Sequence, residues 1–508
     1  MDRKPRTRRE VLRAAGVLTG GAARAQLGVP AIGTARSAMT LASLERRLGG
    51  TLIEPGDATY GAAAALWNTR LSINPRAIAF CQSVRDVQEV VRFARERGWP
   101  ISARSGRHSF EGYSNASGIV CDVSQMNGVR FDRTHGTVKV GPGNNVLSIF
   151  NNVILGAGRG MLNGSCPTVG IAGLALGGGL SRGLRQHGAL VDDMVEASVV
   201  LPDGRYVQAS AKHRPELFWA LRGGGGGNFG IVTSFTFRTH STPDPVEFGM
   251  SFDWSKAAEM YAAWQTLAPA APSTLASCSL RMTRTPPTSG SGPYVLKASV
   301  GGLWNGSQAD LADLLAPLTA IGPSSSSMNT TTYAEAWHPD GCTIGVGGSL
   351  TCKPTVLYPN YQRSDFFTEP MPAPGIDELI TQVENWPGGP GSDEGGVQIE
   401  ALGPGSKSNA VASDATAFVH RKTLYHTVYL NFWGEPASEA ANVAWVDDIY
   451  AAMRPYASGQ AYQNYIDAGL DSWRTAYYGS NWKRLQRVKR AYDPANLLSF
   501  AQGVTPAR

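Results

Sequence analysis

The chain has 508 residues, too many for one ordinary core, which sets an expectation of two packed domains. Its net charge of +6 resides wholly in residues 1–37, where eight basic side chains face Asp2 and Glu10; the remainder is neutral and offers nucleic acid no basic face. The six cysteines contain no CxxC pair and the eight histidines no HExxH spacing, so no metal site is expected.

Residues 1–37 read as a twin-arginine export signal. Thr7-Arg8-Arg9-Glu10-Val11-Leu12-Arg13 carries the arginine pair, a short, weakly apolar stretch follows, and Ala23-Arg24-Ala25 offers a small-x-small cleavage site, with a later cut near Ala38 as the alternative. The stretch is too short to span a bilayer. A secreted or periplasmic protein with no stable membrane association is expected, its only membrane partner being the twin-arginine export machinery.

A strand over 76–80 precedes a helix that Ser83 caps, with Val84, Val87, Val90, Val91, Phe93 and Ala94 on one face and a stop at Gly98. Strands are expected over 100–103, 118–123 and 138–140, then a helix over about 144–156. A hairpin strand over 195–201, a short helix over 216–222 and a strand over 231–237 complete an α+β nucleotide-binding domain spanning 38–238. From about Thr239 longer helices (257–267, 308–315) alternate with strands (294–300, 426–433), the pattern of a second α+β domain spanning 239–455. Residues 456–508 form a helical C-terminal segment. Cys342 and Cys352 bracket a glycine-rich loop and are compatible with a disulfide or with two buried thiols. Cys121 lies in an apolar run and is expected as a core thiol.

Three runs carry candidate chemistry. Arg104-Ser105-Gly106-Arg107-His108-Ser109 exposes successive backbone N–H groups suited to a pyrophosphate, with His108 at its end. From Asn163 to Ser181, glycines alternate with apolar residues, disfavouring ordinary helix or strand and letting backbone lie against a flat ring; a Cys166 thiolate there is placed to attack an electrophile. A nicotinamide-binding turn needs an acidic residue about 20 positions on, whereas Asp192 and Asp193 come too soon. Finally, Gly223–Gly227 between Arg222 and Asn228 reads as a tight ligand-facing turn entering a strand.

Together with Tyr462-Gln463-Asn464-Tyr465, Thr416-Ala417-Phe418-Val419-His420-Arg421 and the closing Tyr492-Asp493-Pro494-Ala495-Asn496, these runs resemble the berberine bridge enzyme-like FAD-linked oxidases of the vanillyl-alcohol oxidase superfamily. The resemblance implies a two-domain α+β fold of PCMH-type FAD-binding architecture, with a substrate domain built on an antiparallel sheet covered by helices. The C-terminal segment is implied to return to the FAD domain. The cofactor implied is FAD held bicovalently, His108 on the flavin 8α-methyl and Cys166 on C6. Arg104, Ser105, Gly106, Arg107, Ser109, Val169, Gly170, Gly173, Gly177, Gly178, Gly179, Ser181, Ile231 and Asn464 would line it. Two positions depart from the family: Arg107 replaces a usual glycine, and Leu174 stands where many members carry a histidine.

The implied reaction moves hydride from an alcohol carbon to flavin N5 while a base takes the O–H proton. Tyr465, with Tyr462 beside it, is the first candidate, and needs a nearby cation or donor network to lower its phenol from ~10; Glu400, in a strand with Gln398, is the second. Val169, three residues after the cysteine, goes in the family with oxidases, so dioxygen is the expected acceptor and hydrogen peroxide the product. The substrate partner is a small-molecule alcohol on a sugar or a glycosylated or polycyclic natural product, with Trp304, Trp337 and Trp433 as candidates for stacking. A dehydrogenase using another acceptor, and an oxidative cyclase, are the alternatives.

Overall fold

A computed structural model describes residues 39–287, 292–345, 350–354 and 356–508; the export signal read at 1–37 lies outside the described residues. No described helix is long and apolar enough to cross a membrane.

The first sheet contains β1 (Thr51–Ile53), β2 (Ala77–Phe80), β3 (Ile101–Arg104) and β4 (Ile119–Asp122) in the order β1-β2-β4-β3, with β2 and β3 parallel to β4. The helix Val84–Arg97 packs on it as the apolar spacing predicts. Ser83 and Asp86 cap its start reciprocally, and Gly98 ends it in the left-handed conformation, φ 61°. Cys121 is in this core, its sulfur 3.5 Å from that of Cys81.

Strands β5 (Val129–Asp132), β6 (Thr137–Val140), β7 (Met194–Val200), β8 (Tyr206–Ser210) and β9 (Ile231–Arg238) make a second, antiparallel sheet in the order β5-β6-β9-β7-β8. The helix expected over 144–156 begins at Val146 behind an Asn145 cap and continues as a π-helix over Phe150–Leu155. The glycine-rich run differs from expectation, because Ile171–Leu176 is a short helix. Burial of Ile171, Ala175 and Leu176 outweighs the poor propensity of Gly173.

Next come β10 (Val246–Phe252), β11 (Leu275–Thr285), β12 (Val295–Trp304) and β13 (Ser325–Thr330), a small hairpin β14 (Cys342–Ile344) and β15 (Leu350–Cys352), then β16 (Arg363–Phe367), β17 (Glu394–Ala401) and β18 (Tyr425–Phe432). All but the hairpin form one antiparallel sheet, β13-β10-β12-β11-β17-β18-β16. Helices Ala257–Ala270, Ala373–Glu384 and Glu439–Met453 pack on one side of it. Cys342 and Cys352 are directly opposite in the hairpin and joined as a disulfide, which resolves the two readings of that pair.

Period-two alternation decides what the sheet's other side presents. In β17 Val397, Ile399 and Ala401 are buried while Gln398 and Glu400 alternate with them; in β11 Cys278, Leu280 and Met282 are buried while Ser279 and Arg281 alternate. A polar wall results. The C-terminal helix Trp482–Tyr492 packs on the helix Pro215–Leu221. Its buried Lys489 donates to Asn228 O, Leu498 O and the Asp493 carboxylate, all within 2.7 Å.

Candidate active site

The three motif runs converge on one cavity of about 670 Å³. One wall is the loop after β3, another the turn before and within the helix Ile171–Leu176, a third the glycine turn entering β9; Tyr462–Ile466 and Ser499–Ala501 close it.

His108 and Cys166 both face this cavity, although 58 residues separate them in the chain. Burial holds the imidazole of His108 down at about 3, so the ring is neutral. The indole of Trp67 stacks on it at 4.7 Å between centroids. Nε2 of His108 lies 2.7 Å from the Thr168 hydroxyl, which in turn lies 3.7 Å from the Cys166 sulfur. Burial pushes the Cys166 thiol up, with the Asp340 carboxylate adding to the effect, so the sulfur rests as a thiol rather than the expected thiolate.

The glycines divide into two groups. A Cβ on Gly173 would meet no protein atom within 4 Å, and one on Gly226 none nearer than 3.9 Å, so cavity lies directly against backbone there. Gly106 and Gly170 face each other instead, a Cβ on Gly106 lying 2.1 Å from Gly170 N. Gly177, Gly178 and Gly179 do not line the cavity, contrary to expectation: their missing side chains make room for Asn464, Phe418 and Leu190 respectively.

Other expected contacts are also redirected. Arg104 is buried and holds Asp122 through Nε (2.6 Å) and Asn115 through Nη1 (2.9 Å). Only its Nη2 is without a protein partner. Arg107 lines the cavity with φ 64°, the left-handed backbone that a glycine adopts freely, and turns its guanidinium to Ala62 O at 2.8 Å. Ser105 donates to Pro142 O (2.7 Å), and Ser109 accepts from Tyr113 N (3.0 Å), while both line the cavity with Val169 and Ile231. Leu174 lines it too, and its carbonyl accepts from Asn464 Nδ2 at 3.0 Å. Ser181 belongs to a neighbouring chamber.

That chamber, about 380 Å³, is bounded by the polar wall of β11 and β17. Glu400 is on it, accepting from Gln398 Nε2 at 2.9 Å; burial raises its carboxyl, against the opposing pull of Gln398, Arg182 and Arg281. Tyr465, Gln398, Arg281 and Asp340 border both spaces. Burial pushes the Tyr465 phenol up, and Tyr462 and Glu400 push it further, so the cation a tyrosine base needs is not supplied. Tyr462 is structural in its contacts: its oxygen accepts from Gly179 N and Asn464 Nδ2, each at 2.9 Å, and burial lifts its phenol to about 12. Trp304, Trp337 and Trp433 are buried in the core and border neither space.

Comparison with known proteins gives this arrangement its family. The model of the FAD binding domain matches residues 75–210, spanning both His108 and Cys166, and that of berberine and berberine-like proteins matches 461–505, spanning Tyr462 to Tyr465. The FAD-linked oxidoreductase YgaK of Bacillus subtilis is 30% identical over 471 residues, 91% of this chain and 98% of that protein. The chain belongs to the berberine bridge enzyme-like FAD-linked oxidoreductases. The chitooligosaccharide oxidase of Gibberella zeae is 28% identical, covering 89% of this chain and 91% of its own. Among solved structures, BBE-like 1 of Physcomitrella patens superposes with a TM-score of 0.81 at 26% identity, covering 92% of this chain and all of its own.

This berberine bridge enzyme-like chain fits FAD by its own features: open cavity against Gly173 and Gly226, an unpartnered buried Arg104 Nη2, and two nucleophilic side chains in the cavity lining. Sequence reasoning missed Trp67, Thr168 and His426. Thr168 had a signal, a hydroxyl two residues from the cysteine; Trp67 and His426 arrive from remote segments with none. His426 is opposite Glu400 in the sheet and borders the chamber, both ring nitrogens buried without a partner.

Proposed function

We propose that this oxidoreductase is an exported oxidase of an alcohol carbon on a sugar or glycosylated natural product, with FAD attached through both His108 and Cys166. FAD held there would supply the hydride acceptor, with dioxygen as the final oxidant and hydrogen peroxide as the product. The observation that carries this reading is the shared wall. Tyr465 and Gln398 border both the cavity that holds the two nucleophiles and the polar chamber that holds Glu400.

The chamber favours a polyhydroxylated substrate over a polycyclic one that closes a ring. Its side chains include Glu247, Ser277, Ser279, Glu335 and Gln398. Its arginines are committed elsewhere: Arg281 to Glu394 at 2.7 Å, Arg182 to Asp340 and the carbonyls of Ala336 and His338, and Arg185 to the carbonyls of Leu275, Ala271 and Leu402. Among the described residues, a carboxylate or phosphate on the substrate finds no uncommitted cation there, so neutral sugars suit it best. Glu400 takes the hydroxyl proton, Gln398 holds Glu400 in place, and Tyr465 borders the reacting end where the two spaces meet. The name of the chitooligosaccharide oxidase relative supports the same class.

The test is peroxide release in air across a panel of neutral, acidic and phosphorylated oligosaccharides, alongside dye reduction under argon. Peroxide with neutral sugars is expected; dye reduction without peroxide would replace oxidase by dehydrogenase.

A further inference from the structure

The Thr168 hydroxyl is not on the cavity wall, yet among the described residues it is the only group hydrogen-bonded to the His108 ring. Trp67 stacked on the imidazole fixes the ring's plane, and Thr168 fixes its rotation by holding Nε2. Nε2 is engaged by the hydroxyl, whereas Nδ1 makes no hydrogen bond to any described residue. A neutral imidazole carries one proton, and its position follows from the bond the other nitrogen makes. The same hydroxyl has the Cys166 sulfur, 3.7 Å away, as an acceptor for its own proton.

We infer that Thr168 is a positioning residue for cofactor attachment: by accepting a hydrogen bond from the His108 Nε2–H it holds the imidazole proton on Nε2 and leaves the Nδ1 lone pair free to attack. The inference rests on the covalent attachment proposed above. Formation of the link joins Nδ1 to the 8α-methyl carbon; one C–H bond of that methyl and the Nε2–H bond break. The two electrons and two protons released pass to dioxygen, which leaves as hydrogen peroxide. Without the hydroxyl, no hydrogen bond holds the proton on Nε2, and the tautomer with the proton on Nδ1, which blocks the nucleophile, becomes populated.

The readout is attachment, not turnover. Wild type, T168S, T168A and T168V are expressed with FAD, precipitated in acid, digested, and the His108 and Cys166 peptides weighed. T168S is expected to keep the flavin mass on the His108 peptide. T168A and T168V are expected to show roughly tenfold less of it, the order of one lost hydrogen bond, while the Cys166 peptide stays flavinylated. A merely structural role would lower both links together and would not be rescued by serine alone. If either hydroxyl-free variant carries the His108 link to the wild-type extent, the inference is overturned. If wild type itself releases all its flavin into the acid supernatant, it is the covalent reading that fails, and the two failures are distinct.

Discussion

The phenol oxygen of Tyr462 accepts the backbone N–H of Gly179 at 2.9 Å, tying the C-terminal segment to the glycine run across 283 residues of chain. Leu180 N (3.3 Å) and Asn464 Nδ2 (2.9 Å) donate to the same oxygen. Removing it leaves buried donors without an acceptor. Tyr462→Phe is therefore expected to cost ~1–3 kcal/mol of folding stability, measured by denaturant unfolding, and to leave the pH profile of turnover unchanged. A shifted profile with unchanged stability would return Tyr462 to the reaction.

Gly173 and Gly177 are separated by one helical turn and predict opposite outcomes. At Gly173 a Cβ enters open cavity, so Gly173→Ala should fold normally, even gain up to ~1 kcal/mol from helix propensity, and lose bound FAD. At Gly177 a Cβ would stand 1.9 Å from Asn464 Oδ1. Gly177→Ala should then lower the unfolding midpoint or abolish soluble protein. Thermal unfolding paired with flavin content per chain measures both; equal flavin loss at equal stability in the two variants would contradict the division.

These glycines mark where the sequence was legible. The Val84–Arg97 helix could be read because its cap, apolar spacing and terminal glycine are all local. The wall of β17 could be read because alternation alone puts Gln398 and Glu400 on one face. That glycines crowd 163–181 was visible, but which of them touch ligand and which touch Phe418, Leu190 or Asn464 depends on segments far along the chain. The same holds for Arg104, whose partner Asp122 is supplied by the pairing of β3 with β4, and for Trp67 on His108.

His426 gives a pH dependence with a definite sign. Burial, reinforced by His420, depresses its imidazole to about 3 in the folded chain, against ~6.5 unfolded. The unfolded chain therefore binds a proton the folded one refuses. The resulting stability is present above pH ~6.5 and is lost as pH falls towards the folded value, amounting to ~2 kcal/mol by pH 5. Raised carboxyls such as Asp365, pushed by burial to about 7, titrate in the opposite sense, so the variant must be compared with wild type. Relative to wild type, His426→Leu should gain ~2 kcal/mol between pH 7 and 5. A flat difference curve in denaturant unfolding would show that the ring protonates freely in the fold.

The choice between Glu400 and Tyr465 as proton acceptor follows from what surrounds each. Every neighbour acting on the Tyr465 phenol pushes it up, away from the working range of a base. Burial raises the Glu400 carboxyl while Gln398, Arg182 and Arg281 restrain the rise, which moves it towards the pH at which an acceptor works best. Glu400→Gln preserves shape and should lower kcat by ~10²–10⁴, whereas Tyr465→Phe should lower it by about tenfold or less. Because the carboxylate must be ionised to act, wild-type activity is present above the raised value and falls as pH drops through it. That acid limb should be missing from the residual rate of Glu400→Gln and retained in Tyr465→Phe. Initial rates from pH 4 to 9 with a neutral oligosaccharide check both, and a Tyr465→Phe loss larger than that of Glu400→Gln would move the base to the phenol.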